Sequence, residues 1–279
     1  MRTLTKPTLV PKTVYLTCIS RVRNPQLRTD LESVTDTIEA DALDYENHSQ
    51  STDWHLINES VDVDNTISKD EMEKVYNNRM ANIKAPGRAY YDELKGSSPF
   101  SICPLCGHRT VEQLDHYLPQ SKFPSLVVLP INLVPSCEKC NKIKLNKTPK
   151  NAEEQTLHPY YDDVTGHQWL FAEVNEPSPT LFFFVKDVAL FDDELNKRIN
   201  YHFKTLGLNA LYGSQTGAYI AGIRYRLSDL HSKGGLDAVK EYLLEEEVSR
   251  RKDHINSWQR AMFQALTDSD WFCDGGFNA

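Results

Sequence analysis

The spacing of apolar positions changes several times along this chain. Over residues 27–45, LRTDLESVTDTIEADALDY, Leu31, Val34, Ile38 and Leu43 recur near helical spacing and predict one amphipathic helix. Ahead of it, Pro7, Pro11 and the β-prone run VYLTCI at 14–19 predict extended chain through residues 1–25. The next stretch, ENHSQSTDWHLINESVDVDNTIS, is polar and weakly patterned, and predicts a loop with at most a short turn. Ser68 precedes an acid-rich turn and predicts an N-capped helix that Pro86-Gly87 ends, and RAYYDELKG (88–96) predicts a second, short one.

Beyond it the period shortens. Residues 110–117 predict a strand, 118–130 a loop broken by Pro119 and Pro124, 132–134 a returning strand and 137–146 a helix start. LFFFVKD (181–187) predicts a strand, 192–206 an amphipathic helix ended by Gly207, and 216–232 and 236–266 two more helices. There are no internal repeats or low-complexity tracts. The expected class is α+β, mainly α. A helical segment (1–97) precedes a central β-β-α finger (98–150), and a second mostly helical segment (151–279) follows.

Composition adds limits. The chain has 279 residues, 40% hydrophobic and 25% charged, as an ordinary globular protein has. No run approaches eighteen apolar residues, and the first residues lack an apolar signal core, so no membrane span and a cytoplasmic location are expected. The net charge of −8 argues against a general nucleic-acid sponge. Residues 98–150, however, carry seven basic side chains against three acidic ones. A basic island in an acidic chain is a localised footprint for a polyanion, or a solvated lysine-rich face.

Chemistry concentrates in the same place. CPLC and CEKC set Cys103, Cys106, Cys137 and Cys140 in two knuckles, the pattern of one tetrahedral zinc. Four thiolates fill zinc's shell and leave no position for water, so this metal is expected to be structural. Cys18 and Cys273 are isolated in sequence and read as free thiols. Between and just after the knuckles stand Asp115-His116, Asn132 and Asn141. An imidazole titrates near working pH, which makes His116 the expected general base.

Those residues resemble the HNH endonucleases, the His-Me finger (ββα-metal) nucleases, of the type stapled by four cysteines. In that family a strand ends in Asp/Glu-His, a middle Asn follows, and a His or Asn on the helix closes the set. The resemblance covers about 45 residues closely. Through DHYLPQSKFP, NLVPSCEKCN, HPYYDD and HFKTLGLN, the whole chain more loosely resembles HNH proteins of bacterial antiviral defence operons, such as the nuclease subunit of Septu systems and of some retrons.

The resemblance implies a metal-dependent phosphodiester hydrolase. His116 would activate water, Asp115 and Asn141 would hold a catalytic Mg²⁺ or Mn²⁺, and Asn132 would brace the loop that carries the base. Asn rather than His at the closing position favours a hard cation there. Lys144 and Lys142 would meet substrate phosphates. DNA is the first expectation for substrate, with RNA open, and a defence-operon ATPase is the expected protein partner. The rival expectation is a non-catalytic zinc-stapled module that binds nucleic acid or protein. His158 and Asp162 of HPYYDD would either support the site or simply accompany the packing of Tyr160 and Tyr161.

Overall fold

Prolines open the first two helices of the computed structural model, which describes residues 1–279. α1 (Pro11–Ile19) begins with its proline in the first turn, where the missing N–H has no intrahelical partner to lose. The stretch expected to be extended is therefore helical from residue 11. VYLTCI reads as a strand by composition, but Val14, Tyr15, Cys18 and Ile19 are buried at helical spacing, and that burial outweighs a propensity worth tenths of a kcal/mol. The single helix expected over 27–45 is two, α2 (Pro25–Ser33) and α3 (Thr35–Gln50), broken at Val34. Asn24 caps α2 by accepting from the Leu27 N–H at 3.1 Å, and Tyr15 donates to the Leu31 carbonyl at 2.8 Å.

The segment expected to be loop contains the end of α3, a one-turn 3-10 helix at Trp54–Leu56 and a hairpin of β1 (Asp62–Val63) and β2 (Ile67–Ser68). Ser68 then accepts from the Glu71 N–H and starts α4 (Lys69–Arg79), which ends before the expected Pro86-Gly87 stop, and α5 (Arg88–Gly96) follows as expected. The turn between them needs glycine at 87, because a Cβ there would lie 2.5 Å from the Cys18 sulfur.

The finger consists of β3 (Gln113–His116), β4 (Leu133–Ser136) and α6 (Glu138–Lys144). The strands are antiparallel, with Asp115 opposite Val134 and His116 opposite Leu133. Leu114, Val127, Val128 and Leu133 share one buried cluster with Val14, Leu31, Ile38, Val75 and Met80, so the finger and the preceding helices have a common core. The chain divides into two compact units, residues 2–162 and residues 163–279 with Met1.

In the second unit β5 (Leu170–Asn175) and β6 (Thr180–Val185) form a hairpin that buries Leu170 and Phe183 on one face. α7 (Asp193–Thr205) is capped by Asp192, and Gly207 in the left-handed region separates it from α8 (Leu208–Asp253). The two helices expected at 216–232 and 236–266 are distributed differently. α8 starts eight residues earlier than expected, is interrupted only at Gly235 (φ 63°), and stops at Asp253, after which α9 (Trp258–Asp268) and α10 (Asp270–Cys273) complete the chain. Asn256, in the break after α8, accepts from the Trp169 and Leu170 N–H groups and donates to the Val164 and His167 carbonyls. That turn therefore holds the start of the hairpin. The fold is mainly helical with three small sheets, and no helix is long and apolar enough to cross a membrane.

Candidate active site and metal centre

Each knuckle is a tight turn that aims two sulfurs the same way. The Cys103 N–H donates to the Arg109 carbonyl at 2.7 Å and the Gly107 N–H to the Cys103 carbonyl at 2.8 Å, with Gly107 at φ 60° to close the turn. On the other side Cys137 caps α6, its sulfur accepting from the Cys140 N–H at 3.4 Å. All four thiols are buried, and their sulfurs lie within 4.8 Å of one another. A zinc ion with Zn–S bonds of about 2.3 Å sets its sulfurs roughly 3.8 Å apart, so the four fit one tetrahedral ion. Crowding also divides their protons. Hydrogen bonding with Cys103 drives Cys106 well down and brings Cys137 to about 7, whereas Cys103 and Cys140 are pushed up. The cluster is compatible with the zinc staple of an HNH-type module.

β3 carries Asp115 and His116 into the interior, where they are 5% and 8% exposed. The His116 Nε2 lies 2.8 Å from the Val127 carbonyl oxygen. A carbonyl only accepts, so the proton sits on Nε2 and the Nδ1 lone pair is available as a base. Tyr76 meets the ring edge-on at 4.4 Å. Burial lowers the His116 pKa to about 4, and the Lys144 charge acts in the same direction, so the imidazole is neutral at neutral pH.

Asn132 is fully buried and has a partner for every hydrogen-bonding position it uses. Its Oδ1 accepts from the Leu118 N–H at 2.7 Å, and its Nδ2 donates to the Leu118 and Leu126 carbonyls at 3.1 and 3.2 Å. The Tyr117 N–H donates to the Asn132 carbonyl at 2.8 Å. One asparagine thus clamps both ends of the loop after His116, and Leu126 is next to the residue whose carbonyl fixes the His116 tautomer.

Protein ea31 of Escherichia phage lambda is 30% identical to this chain over 236 residues, which cover 79% of each protein. The chain belongs to the Ea31 family. No family model and no solved structure matches it. The Ea31 name specifies no reaction, so the chemistry of this member must be read from its side chains.

Within this Ea31-family chain the remaining expected site residues lie on α6, at different depths. Asn141 is half-buried, one turn before Lys144 on the same helix face. Lys142 is exposed and paired with Glu138 at 2.5 Å. Lys144, expected to meet phosphate, is instead buried. Its Nζ donates to the His116 carbonyl, lies 3.3 Å from the Asp115 Oδ2, and faces the Tyr117 ring at 5.5 Å. Burial pushes the Asp115 pKa up and the Lys144 pKa down, and each charge opposes the shift of the other. Asp115 and Asn141 are both hard oxygen donors, which fits Mg²⁺ or Mn²⁺ in kind. A single carboxylate already bearing a counter-ion fits only an ion that retains most of its water or phosphate ligands.

Sequence reasoning missed the Val127 carbonyl, the Tyr76 ring and the inward path of Lys144. Only Lys144 had a signal, its i+3 spacing from Asn141. His158 and Asp162 are buried together: the His158 backbone N–H donates to Asp162 at 2.6 Å, and the His158 ring stacks on Trp54 and tilts against Tyr117. Tyr160 donates to the Leu133 carbonyl and Tyr117 to the Thr156 carbonyl, so the segment from Thr156 to Tyr160 fastens the loop end of the finger hairpin.

Proposed function

We propose that this Ea31-family protein is an HNH-type endonuclease that hydrolyses phosphodiester bonds, with DNA as the substrate. The observation that carries the reading is His116, held neutral by burial, with its proton fixed on Nε2 by Val127 and its Nδ1 unprotonated, at the end of a strand between two cysteine knuckles. Its Nδ1 takes the proton of the attacking water. Asn132 and the Val127 carbonyl keep that nitrogen in its tautomer and orientation. Asp115 and Asn141 would hold a divalent cation, both through oxygen. When bound, Mg²⁺ or Mn²⁺ supplies charge stabilisation for the pentavalent phosphate and the leaving 3′-oxygen. The zinc at the knuckles organises the finger and takes no part in the reaction. The exposed Lys139, Lys147 and Lys150 on and after α6 support a polyanionic substrate, and the resemblance to defence-operon nucleases supports an antiviral role in the cytoplasm beside an ATPase partner.

A second reading, a zinc-stapled module that binds without cutting, is favoured by one observation: the Asp115 carboxylate is already compensated by Lys144. Plasmid DNA and total RNA incubated with zinc-loaded protein and Mg²⁺ or Mn²⁺, beside His116→Ala, separate the two. The nuclease reading expects plasmid nicking by the native protein and its loss in the variant at equal zinc content. Retained nucleic-acid binding with no cleavage by either protein, alone or with the product of a neighbouring gene added, would support the binding module. Cleavage confined to RNA would reassign the substrate.

A further inference from the structure

Lys144 is 6% exposed, and its ammonium meets Asp115, His116 and Tyr117, three consecutive residues at the end of β3. An ammonium carries three N–H donors and no acceptor. One donor is taken by the His116 carbonyl oxygen, the Asp115 Oδ2 lies at 3.3 Å, and the Tyr117 ring face is 5.5 Å away. These partners differ in what they can do without. The carbonyl and the ring would still solvate the cation if it left Asp115, so moving it does not strand a buried charge. Lys144 is also the last residue of α6, and the chain leaves helical geometry at Leu145 (φ 45°), which frees its stem from a following turn.

Asp115 and Lys144 together are neutral. A divalent cation joining them leaves two surplus positive charges at a buried site, whereas with Lys144 absent it would leave one. Each surplus charge opposes entry of the metal, and a phosphodiester anion relieves it. We propose that Lys144 is a built-in competitor for the divalent cation at Asp115, a positioning residue that keeps the affinity low until a substrate phosphate arrives. The inference rests on the nuclease reading, in which Asp115 is a metal ligand. It gives Lys144 a role distinct from holding phosphate: it links metal loading to substrate binding.

The test measures Mn²⁺ binding to zinc-loaded, full-length protein without nucleic acid, from the electron paramagnetic resonance signal of free Mn²⁺. The variants are Lys144→Met, Lys144→Arg and Asp115→Asn, each checked for zinc content and melting temperature. Lys144→Met is expected to bind Mn²⁺ at least tenfold more tightly than the native protein, Lys144→Arg within about threefold of it, and Asp115→Asn at least tenfold more weakly. Equal or weaker binding by a folded Lys144→Met, with Asp115→Asn still weakened, would overturn the competition and leave the nuclease reading intact. Mn²⁺ binding indifferent to Asp115→Asn would overturn both.

If Lys144→Met fails to fold, the native protein answers alone. Its Lys144 Nζ resonance is followed during a Mg²⁺ titration beside the Asp115 carboxyl carbon. Both signals moving together to saturation supports displacement. A carboxyl shift with a stationary ammonium overturns it.

Discussion

The four knuckle thiols and the Asp115–His116 pair are both buried ionisable clusters, but they are compensated differently. The thiols have one another and two backbone N–H donors, from Arg109 and Cys140, but no cation, and their hydrogen bonding splits them into groups that hold protons and groups that release them. The carboxylate has Lys144 at 3.3 Å, and the imidazole is neutral with its one proton placed on a carbonyl. The first cluster is therefore organised to receive an external cation as part of folding. The second is closed by internal partners, and whatever cation it takes must compete with one of them. A metal that completes a fold and a metal that joins an already compensated carboxylate make opposite demands on the residues around them.

Losing the first cluster should have the largest effect. Structural zinc contributes on the order of 10 kcal/mol to small zinc modules. Cys137→Ser, or chelation, is expected to abolish the single bound zinc and melt the unit spanning residues 2–162, read by zinc content and circular dichroism. Retained zinc and an unchanged melting curve would remove the distinction drawn above.

Acid should act on the second cluster. The His116 pKa of about 4 lies below the ordinary histidine value, so the unfolded chain binds the proton more readily than the native one. The resulting stabilisation is complete above about pH 6.5, falls as pH drops through that window, and is gone below about pH 4. Its size is roughly 3 kcal/mol. Urea midpoints between pH 4 and 7 should fall more steeply for the native protein than for His116→Ala, and parallel slopes would contradict this.

Asn132→Ala is expected next, with a loss of about 2 kcal/mol, because it orphans the Leu118 N–H and removes donors to two carbonyls. Cleavage should fall further than stability does, since the loop carrying Val127 loosens. The control is Lys142→Ala. Its exposed pair with Glu138 should leave the melting temperature unchanged.

The parts of this arrangement readable from sequence are those determined locally. Cys-x-x-Cys spacing, the Ser68 cap and the adjacency of Asp115 to His116 need no knowledge of the rest of the chain, whereas the helix after Ser68 ends at Arg79, ahead of the Pro86-Gly87 pair expected to end it. VYLTCI favours a strand by composition, while its helical burial depends on α3 and α4 packing around it. Val127 left no trace because its function is a main-chain carbonyl, the same in every residue. Lys144 shares a helix face with Asn141, and that much follows from spacing. Its depth does not: it depends on how β3 and Tyr117 lie across α6.

The proposed role of the His116 Nδ1 as the base is tested most directly by chemical rescue. His116→Ala is assayed for Mg²⁺-dependent plasmid cleavage with and without added imidazole, after zinc content is matched to the native protein. The account predicts an inactive variant whose cleavage returns with imidazole and rises with the concentration of its unprotonated form. A variant that cleaves as fast as the native protein without imidazole would contradict it.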